Sequence, residues 1–207
     1  MTQKDKMLGQ GWYISWDAAL VEERERAKDL LFEFNAMRPS MRGERNAVLQ
    51  RLFGAMGGNA WVESPFNCDY GYNIRVGENF YANSHCTILD CAPVTIGDDV
   101  LLGPNVSLYT PNHAVDAQER KLGYERALPI TIGDRVWIGG SVTIVPGVSI
   151  GENSIIAAGS VVTRDIPANV IAAGVPCRVM RAITDADRLG LSPDAAGAAS
   201  PAGTPPG

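Results

Sequence analysis

The stretches IGDDVLLGPNVS at residues 96–107 and IGDRVWIGGSVTIVPGVSIGENSIIAAGSVVTRDIP at residues 132–167 repeat one pattern every six residues. The aliphatic residues that open the units are Ile96, Leu102, Ile132, Ile138, Ile144, Ile150, Ile156 and Val162. A second row of aliphatic or small residues, four positions after each opener, consists of Val100, Val106, Val136, Val142, Val148, Ser154, Ser160 and Ile166. In an α-helix, residues six positions apart would point in different directions around the axis. Simple strand alternation does not explain why glycine recurs at the same six-residue spacing. The pattern therefore predicts a coil with three flat faces, in which short strands alternate with tight turns.

One long interruption leaves the phase of this repeat unchanged. Leu102 and Ile132 are separated by five units of six residues, so we predict a loop inserted into the coil at 109–129. The upstream residues that keep the same step are Val76, Ala82, Ile88 and Val94. Because Ile96 follows Val94 by only two residues, the coil must slip near Pro93.

A coil of this kind exposes unpaired strand edges at both ends, so we expect segments that cover them. Residues 17–35 predict an amphipathic helix with Asp17 at its N-cap. Its apolar stripe consists of Leu20, Ala27, Leu30, Leu31 and Phe34. A second helix is predicted at about 42–56.

These features divide the chain into three parts. We predict a helical cap at 1–60 and the coil at 61–183. The remaining segment, 184–207, is rich in Pro, Ala and Gly with few large apolar side chains, so we expect it to be disordered.

Composition limits the classes of partner. The formal net charge of −5 and the mixture of both signs argue against a nucleic-acid or anionic-membrane surface. No apolar stretch is long enough to cross a bilayer and the first residues lack a secretory signal, so we expect a cytoplasmic protein. The four cysteines lack CxxC spacing and are interpreted as reduced, packed thiols rather than as a disulfide or a zinc site.

Three segments outside the repeat sharpen the interpretation: NCDYGYNIRVGENFYANSHCTILD (67–90), YTPNHAVDAQERKLG (109–123) and IAAGVPCRVMRAI (171–183). Together with the N-terminal helical segment, they resemble the maltose, galactoside and nodulation-factor O-acetyltransferases, and the resemblance runs from about residue 5 to residue 184. It implies a mainly β fold: a left-handed parallel β-helix of hexapeptide repeats with an N-terminal α-helical cap and an inserted active-site loop. The left hand comes only from the resemblance, since the general rule for parallel crossovers favours the right hand.

The same resemblance implies a homotrimer that binds acetyl-CoA between adjacent β-helices and a sugar acceptor near the loop, without a metal. The chemistry needs a base that takes a hydroxyl proton and donors that hold an oxyanion. Of the two histidines, His113 in the loop matches the catalytic position, whereas His85 is interpreted as structural. Asn83 matches the residue that assists at the transition state. No acyl-enzyme nucleophile motif is present, which favours direct transfer.

Further positions match acceptor and cofactor contacts of the family. The acceptor positions are Asp17, Asp69, Tyr81 and Asp90. The acetyl-CoA positions are Trp137, Gly140, Ser141, Ala158, Gly159, Thr163, Arg164, Arg178 and Arg181, in which small residues suit the pantetheine arm and guanidinium groups suit phosphates. Galactoside enzymes carry two successive acids where this chain has Asp90 followed by Cys91, so a maltose-like or glucose-like acceptor is favoured.

Structural interpretations remain open for several of these residues. Asp17 could have no role beyond capping its helix, and Asp90 could simply be a carboxylate that turns inward in the coil. The small residues could simply fit the tight corners of a coil. The alternatives for the whole chain are a hexapeptide-repeat acyltransferase with a non-sugar acceptor, such as an antibiotic, an amino acid or a nucleotide sugar, and a non-catalytic scaffold. A β-helical zinc carbonic anhydrase is disfavoured because it needs three metal-binding histidines and the chain has two.

Overall fold

The computed structural model describes residues 1–191. Its helices are α1 Gln3–Leu8, α2 Ala18–Ala36, α3 Arg42–Leu52, α4 Ala117–Lys121 and a 3₁₀ turn Asp185–Asp187. The strands of its first half are β1 Tyr13–Ile14, β2 Ala55–Met56, β3 Trp61–Val62, β4 Phe66–Cys68, β5 Ile74–Val76, β6 Tyr81–Ala82, β7 Cys86–Leu89, β8 Val94–Ile96, β9 Leu101–Leu102 and β10 Ser107–Tyr109. Those of its second half are β11 Pro111–His113, β12 Tyr124–Ala127, β13 Ile130–Ile132, β14 Trp137–Ile138, β15 Thr143–Ile144, β16 Ser149–Ile150, β17 Ile155–Ile156, β18 Val161–Val162, β19 Val170–Ala173 and β20 Arg178–Ala182.

The strands wind into a parallel β-helix with three faces. The first face contains β2, β5, β8, β13 and β16, and the third contains β4, β7, β10, β15 and β18. The second face contains β3, β6, β9, β14, β17 and β19, and β20 closes it as an antiparallel edge. We call the turns from the first to the second face the first corner, those from the second to the third face the second corner, and those back to the first face the third corner.

The predicted rows of the repeat form the inside of the coil. All the openers and all the residues of the second row are buried, which confirms the three-faced coil. Burying each aliphatic side chain contributes about 1.5–3 kcal/mol, so a continuous stack of them supplies most of the stabilisation. Ser154 and Ser160 are buried hydroxyls, and each donates to a carbonyl, of Pro167 at 2.8 Å and of Ala157 at 2.6 Å respectively.

The coil length changes along the molecule, and this change explains the slip near Pro93. In the early coils, paired residues such as Ile74 and Val94 are 20 positions apart. In the late coils, paired residues such as Thr143 and Val161 are 18 positions apart. The additional residues of the early coils lie at the third corner, and the inserted loop leaves the coil at this same corner.

The helical cap differs from the prediction in three details. The stripe of α2 is buried as expected, but the side chain of Asp17 makes no capping hydrogen bond although it occupies the N-cap position. The helix predicted at 42–56 ends at Leu52, because the chain then joins the first face: Gly54 donates its backbone N–H to Ile74 and β2 pairs with β5. The coil therefore begins before residue 61.

The inserted loop is an ordered β-hairpin that carries α4. Strand β12 pairs antiparallel with β11 on one side and with β1 of the cap on the other. No local pattern indicates that the cap and the loop, far apart in the chain, share a three-stranded sheet.

At the other end, the 3₁₀ turn lies inside the segment predicted as a tail at 184–207, and Asp187 anchors it by accepting from Arg181 at 2.7 and 2.8 Å. The rest of that prediction, residues 192–207, lies outside the described residues. Among residues 1–191, no helix combines the length and apolar character needed to cross a membrane.

Candidate active site

The loop sheet places His113 beside Glu125. These two residues are direct partners in the pairing of β11 with β12, and Glu125 is the partner of Tyr13 in the pairing of β12 with β1. Cross-strand partners project on the same side of a sheet, so all three side chains share one side of this small sheet.

A chain of polar contacts runs through the three residues. Tyr13 is buried and donates its hydroxyl to Oε2 of Glu125 at 2.8 Å. The other carboxylate oxygen, Oε1, lies 3.8 Å from Nδ1 of His113. The imidazole side chain is 60% exposed and the Glu125 side chain 15% exposed. The carboxylate thus faces one ring nitrogen and leaves Nε2 for a reacting group.

The protonation state of Tyr13 suits this arrangement. Burial above all, and then the neighbouring Cys91 and Glu125, raise the pKa of Tyr13 far above its usual value. The phenol therefore remains a hydrogen-bond donor at all working pH values, which fixes the orientation of the Glu125 carboxylate.

The third corner holds the acidic residues. Asp90 is fully buried, and its carboxylate accepts backbone N–H groups of Asp69 at 3.0 Å, Tyr70 at 2.8 Å and Asn73 at 3.3 Å. Burial raises the pKa of Asp90 to about 6, although the backbone donors oppose the shift. Asp90 therefore orders the corner from inside, rather than facing solvent.

Asp69 lies above it with its side chain partly exposed. Its carboxylate is 3.5 Å from Nζ of Lys28 and accepts a weak hydrogen bond from the Cys91 thiol at 3.6 Å. Burial raises the pKa of Cys91 well above its usual range, so the thiol stays protonated and acts as a donor. Asp17 is half-buried at the start of α2, two residues after Ser15. Arg24 donates to the Ser15 carbonyl at 2.7 Å and to the Tyr70 hydroxyl of this corner at 2.6 Å, which links the start of α2 to the corner.

Asn83 lies at the second corner, not the third. Its Oδ1 accepts from the backbone N–H of Ser84 at 2.8 Å, which leaves the Nδ2 amide as the group free to donate outward. Tyr81 lies two residues before Asn83, on β6. Because Ala82, the residue between them, is buried, the Tyr81 side chain points outward from the second face. The structure thus brings Asn83 and Tyr81 together and places both at a different corner from His113.

The small residues assigned to the cofactor stack at the same second corner. Ser141 donates its backbone N–H to Pro104 at 2.8 Å, and Gly159 donates to Gly140 at 2.9 Å, so the turns 103–105, 139–141 and 157–159 lie on one another. A Cβ at Gly139 would be 2.6 Å from the backbone nitrogen of Ala158, so only glycine permits this close stacking. The result is a corner with short side chains, and Trp137 stands beside it, 52% exposed on β14.

The remaining cofactor positions lie at the last coil. Thr163 and Arg164 form its third corner, both exposed, and Arg178 and Arg181 lie on β20. Arg181 is held by its bidentate contact with Asp187. The structure does not gather these four residues into one cluster, and in residues 1–191 no group of three His, Cys, Asp or Glu is placed to hold a metal ion.

Comparison with known proteins decides the family. Residues 6–57 match the maltose acetyltransferase hexapeptide capping motif, residues 129–164 the six repeats of the bacterial transferase hexapeptide, and residues 93–109 the hexapeptide repeat of succinyl-transferase. The galactoside O-acetyltransferase of Escherichia coli K12 is 53% identical over 169 residues, which cover 82% of this chain and 83% of that protein. The chain belongs to the maltose and galactoside O-acetyltransferase family.

Solved structures of this O-acetyltransferase family agree with the fold. A maltose O-acetyltransferase from Clostridium difficile 630 is 50% identical with a TM-score of 0.88, covering 89% of this chain and 99% of that one. A galactoside acetyltransferase solved in complex with coenzyme A is 49% identical with a TM-score of 0.87, covering 90% of this chain and 94% of that one.

Sequence reasoning about this O-acetyltransferase missed Glu125 and Tyr13. Glu125 follows the loop histidine by twelve residues in a segment with no repeat, and Tyr13 is 112 positions away from Glu125. The one available signal was the segment YERA at 124–127, where Glu125 precedes Ala127 by two residues. Such alternation indicates a strand but does not show which strand pairs with it.

Proposed function

We propose that this protein transfers the acetyl group of acetyl-CoA to a hydroxyl of a sugar, with His113 as general base. The observation that carries the proposal is the chain of contacts from Tyr13 through Glu125 to the exposed imidazole of His113. It is supported by membership of a family whose relatives include a galactoside O-acetyltransferase and a structure with coenzyme A bound.

The reaction needs one proton transfer in each direction. Nε2 of His113 accepts the proton of the acceptor hydroxyl as its oxygen attacks the thioester carbonyl. The tetrahedral intermediate then expels the thiolate of CoA, which receives the proton from the imidazolium. The Glu125 carboxylate, close to Nδ1 and oriented by Tyr13, stabilises the imidazolium that exists between these two steps.

Asn83 supplies the donor for the oxyanion in this proposal. Its Nδ2 amide is available because Oδ1 is engaged by Ser84, and an amide donates without titrating. The short side chains at 139–141 and 157–159 give the pantetheine arm a smooth path along the second corner, with Trp137 at its side and the basic residues of the last coil near the nucleotide. Asp17, Asp69 and Tyr81 are proposed as acceptor contacts, and Asp90 supports them from below.

We further propose a homotrimer. Within one chain His113 and Asn83 lie at different corners, so a neighbouring copy is required to bring one beside the other. The second face also carries an outward row of apolar and aromatic residues, among them Leu101, 47% exposed, and Trp137, 52% exposed, which gain stability when a second copy covers them. We place the protein in the cytoplasm, in keeping with four free, buried thiols.

The acceptor we favour is maltose-like or glucose-like. The expectation from the sequence is that a second acid at the position of Cys91 is typical of galactoside enzymes, and here the Cys91 thiol instead donates to the Asp69 carboxylate. Non-sugar acceptors remain an outcome of the test rather than a second proposal.

The test is thiol release from acetyl-CoA with glucose, maltose, a galactoside, a chitin oligomer and chloramphenicol as acceptors. For His113→Ala we expect turnover with the preferred sugar to fall by about 10²–10⁴-fold while CoA still binds. The matched control is His85→Asn, which changes the other histidine and suits its left-handed backbone, with φ of 64°. Full turnover by His113→Ala, or turnover only with chloramphenicol, would contradict the proposal.

A further inference from the structure

We propose that Trp61 and Glu63 form a binding subsite for a second sugar ring, so that the natural acceptor is a disaccharide or a longer glycan. This inference rests on the proposed function. It adds two residues at the N-terminal end of the coil that the reaction itself does not need.

The order of residues along the second corner gives the direction in which the acceptor extends. From the N-terminal end of the β-helix, successive coils place Glu63, then Asn83, then the turn 103–105 at the second corner. The two cofactor turns, 139–141 and 157–159, follow in the last coils. If the acetyl group reaches Asn83 from the late coils, the acceptor must lie on the opposite side of it. The surface on that side is the first coil.

The second face continues this direction with two adjacent aromatic side chains. Trp61 and Tyr81 are direct partners in the parallel pairing of β3 with β6, and both point outward because the next residues, Val62 and Ala82, are buried. Partners on neighbouring strands are about 4.8 Å apart, so the two aromatic side chains start from adjacent positions on the outer surface. The backbone N–H of Glu63 donates to Ala82 at 2.8 Å, which sets Glu63 beside Asn83 in the same way.

Trp61 is held in a fixed position. Its indole Nε1 donates to Oε1 of Glu63 at 2.8 Å, and the guanidinium of Arg42 lies 5.0 Å from the centre of the ring. The side chain is half-buried in the single chain. It lies at the N-terminal end of the outward row, two coils before Leu101, so the proposal needs the interface between copies to leave this end open. An aromatic ring that is already oriented loses little conformational entropy when a ligand stacks on it.

The patch has the chemistry that a sugar ring needs. An indole offers an apolar surface to the C–H groups of a sugar, and a carboxylate accepts hydrogen bonds from neighbouring hydroxyls. Glu63 lies beside β6 through its backbone hydrogen bond to Ala82, and burial and then its charge raise the pKa of the Tyr81 phenol. In this proposal the ring that is acetylated lies at Tyr81 and Asn83, and the linked second ring extends over Trp61 and Glu63.

The experiment compares kcat/KM for matched pairs of acceptors, glucose with maltose and galactose with lactose, in the wild type and in Trp61→Ala. We expect the wild type to prefer the disaccharide of the accepted pair by about tenfold, and Trp61→Ala to lose this preference while the value for the monosaccharide stays unchanged. Trp61→Phe, which keeps an aromatic ring, should retain most of the preference. Phe32→Ala, an exposed aromatic of α2, is the matched control.

The outcomes separate the two proposals. Equal losses for both acceptors in Trp61→Ala, or no change for either, overturn the subsite while leaving sugar acetylation intact. Absence of turnover with every sugar instead overturns the proposed function. In that case calorimetric titration of maltose and glucose into the CoA complex still tests the subsite, since equal affinities of the two sugars contradict it. Sedimentation of each variant shows whether assembly is preserved.

Discussion

At the scale of single residues, the proposed base and the residues that orient it come from different parts of the chain. His113 is the proposed base because the chemistry suits an imidazole and, of the two histidines, it matches the catalytic position of the family that the sequence resembles. Glu125 and Tyr13 could not be predicted, because their contact depends on the pairing of β12 with β1, which no local pattern records. In the proposed mechanism Tyr13 therefore has a positioning role that its burial alone would not suggest.

Tyr13→Phe tests that role. Removing the hydroxyl leaves Oε2 of Glu125 without its donor at 2.8 Å, so the carboxylate orients His113 less well. We expect kcat to fall by about 10-fold with KM for acetyl-CoA unchanged, since losing one hydrogen bond of about 1–1.5 kcal/mol corresponds to about a tenfold change in rate. Steady-state kinetics with the preferred sugar measures both values.

The matched control is Tyr70→Phe. Tyr70 is also a buried tyrosine with a hydrogen-bonded hydroxyl, which accepts from Arg24 at 2.6 Å, but it does not touch Glu125. We expect this variant to lose stability to a similar degree and to keep its kcat. Equal losses of kcat in the two variants would show that the effect of Tyr13→Phe is only structural.

At the scale of elements, the six-residue repeat predicted nearly all of the coil. Its two rows are inside, and the slip near Pro93 reflects additional residues at the third corner. The details that failed lie where the chain leaves the repeat: the side chain of Asp17 does not cap α2, and the helix predicted to residue 56 ends at Leu52. At the end of α3 a tertiary contact overrides a local preference, because the chain there pairs with the first face.

The third corner depends on Asp90, which makes its stability sensitive to pH. Burial raises the pKa of Asp90 to about 6 from an ordinary value of 3.8. Between these values the folded protein binds the proton more tightly than the unfolded chain does. The contribution of Asp90 is therefore greatest at low pH and is lost as the pH rises through about 6, by about 3 kcal/mol in total.

Asp90→Asn removes this titration while keeping a side chain that can accept from Asp69 and Tyr70. We expect the stability of the wild type relative to the variant to decline by about 2–3 kcal/mol between pH 4 and pH 7, as measured by urea unfolding at several pH values. Asp134→Asn is the control, because Asp134 accepts a backbone N–H of Asp98 at 3.0 Å in a more exposed turn. A pH-independent difference for Asp90→Asn would refute the buried-charge argument.

At the scale of the whole molecule, the arrangement of corners has a direct consequence for activity. Asn83 lies at the second corner of the coil, whereas the loop that carries His113 leaves at the third corner. The regular winding of the chain around the three faces therefore separates the two residues. A single chain therefore holds two incomplete halves of the proposed site. The exposed apolar row of the second face is the surface best suited to join copies.

Leu101→Asp tests this connection between assembly and activity. Leu101 is central in that row and 47% exposed, so a charge there costs the isolated chain little, about 0.5 kcal/mol, but is costly in an apolar interface. We expect the variant to fold, to sediment as a monomer and to lose thiol release from acetyl-CoA. Thr95→Asp places the same charge on an exposed strand position of the polar first face and should remain trimeric and active. A monomeric Leu101→Asp with full turnover would mean that one chain completes the site, and a trimeric one would place the interface on another face.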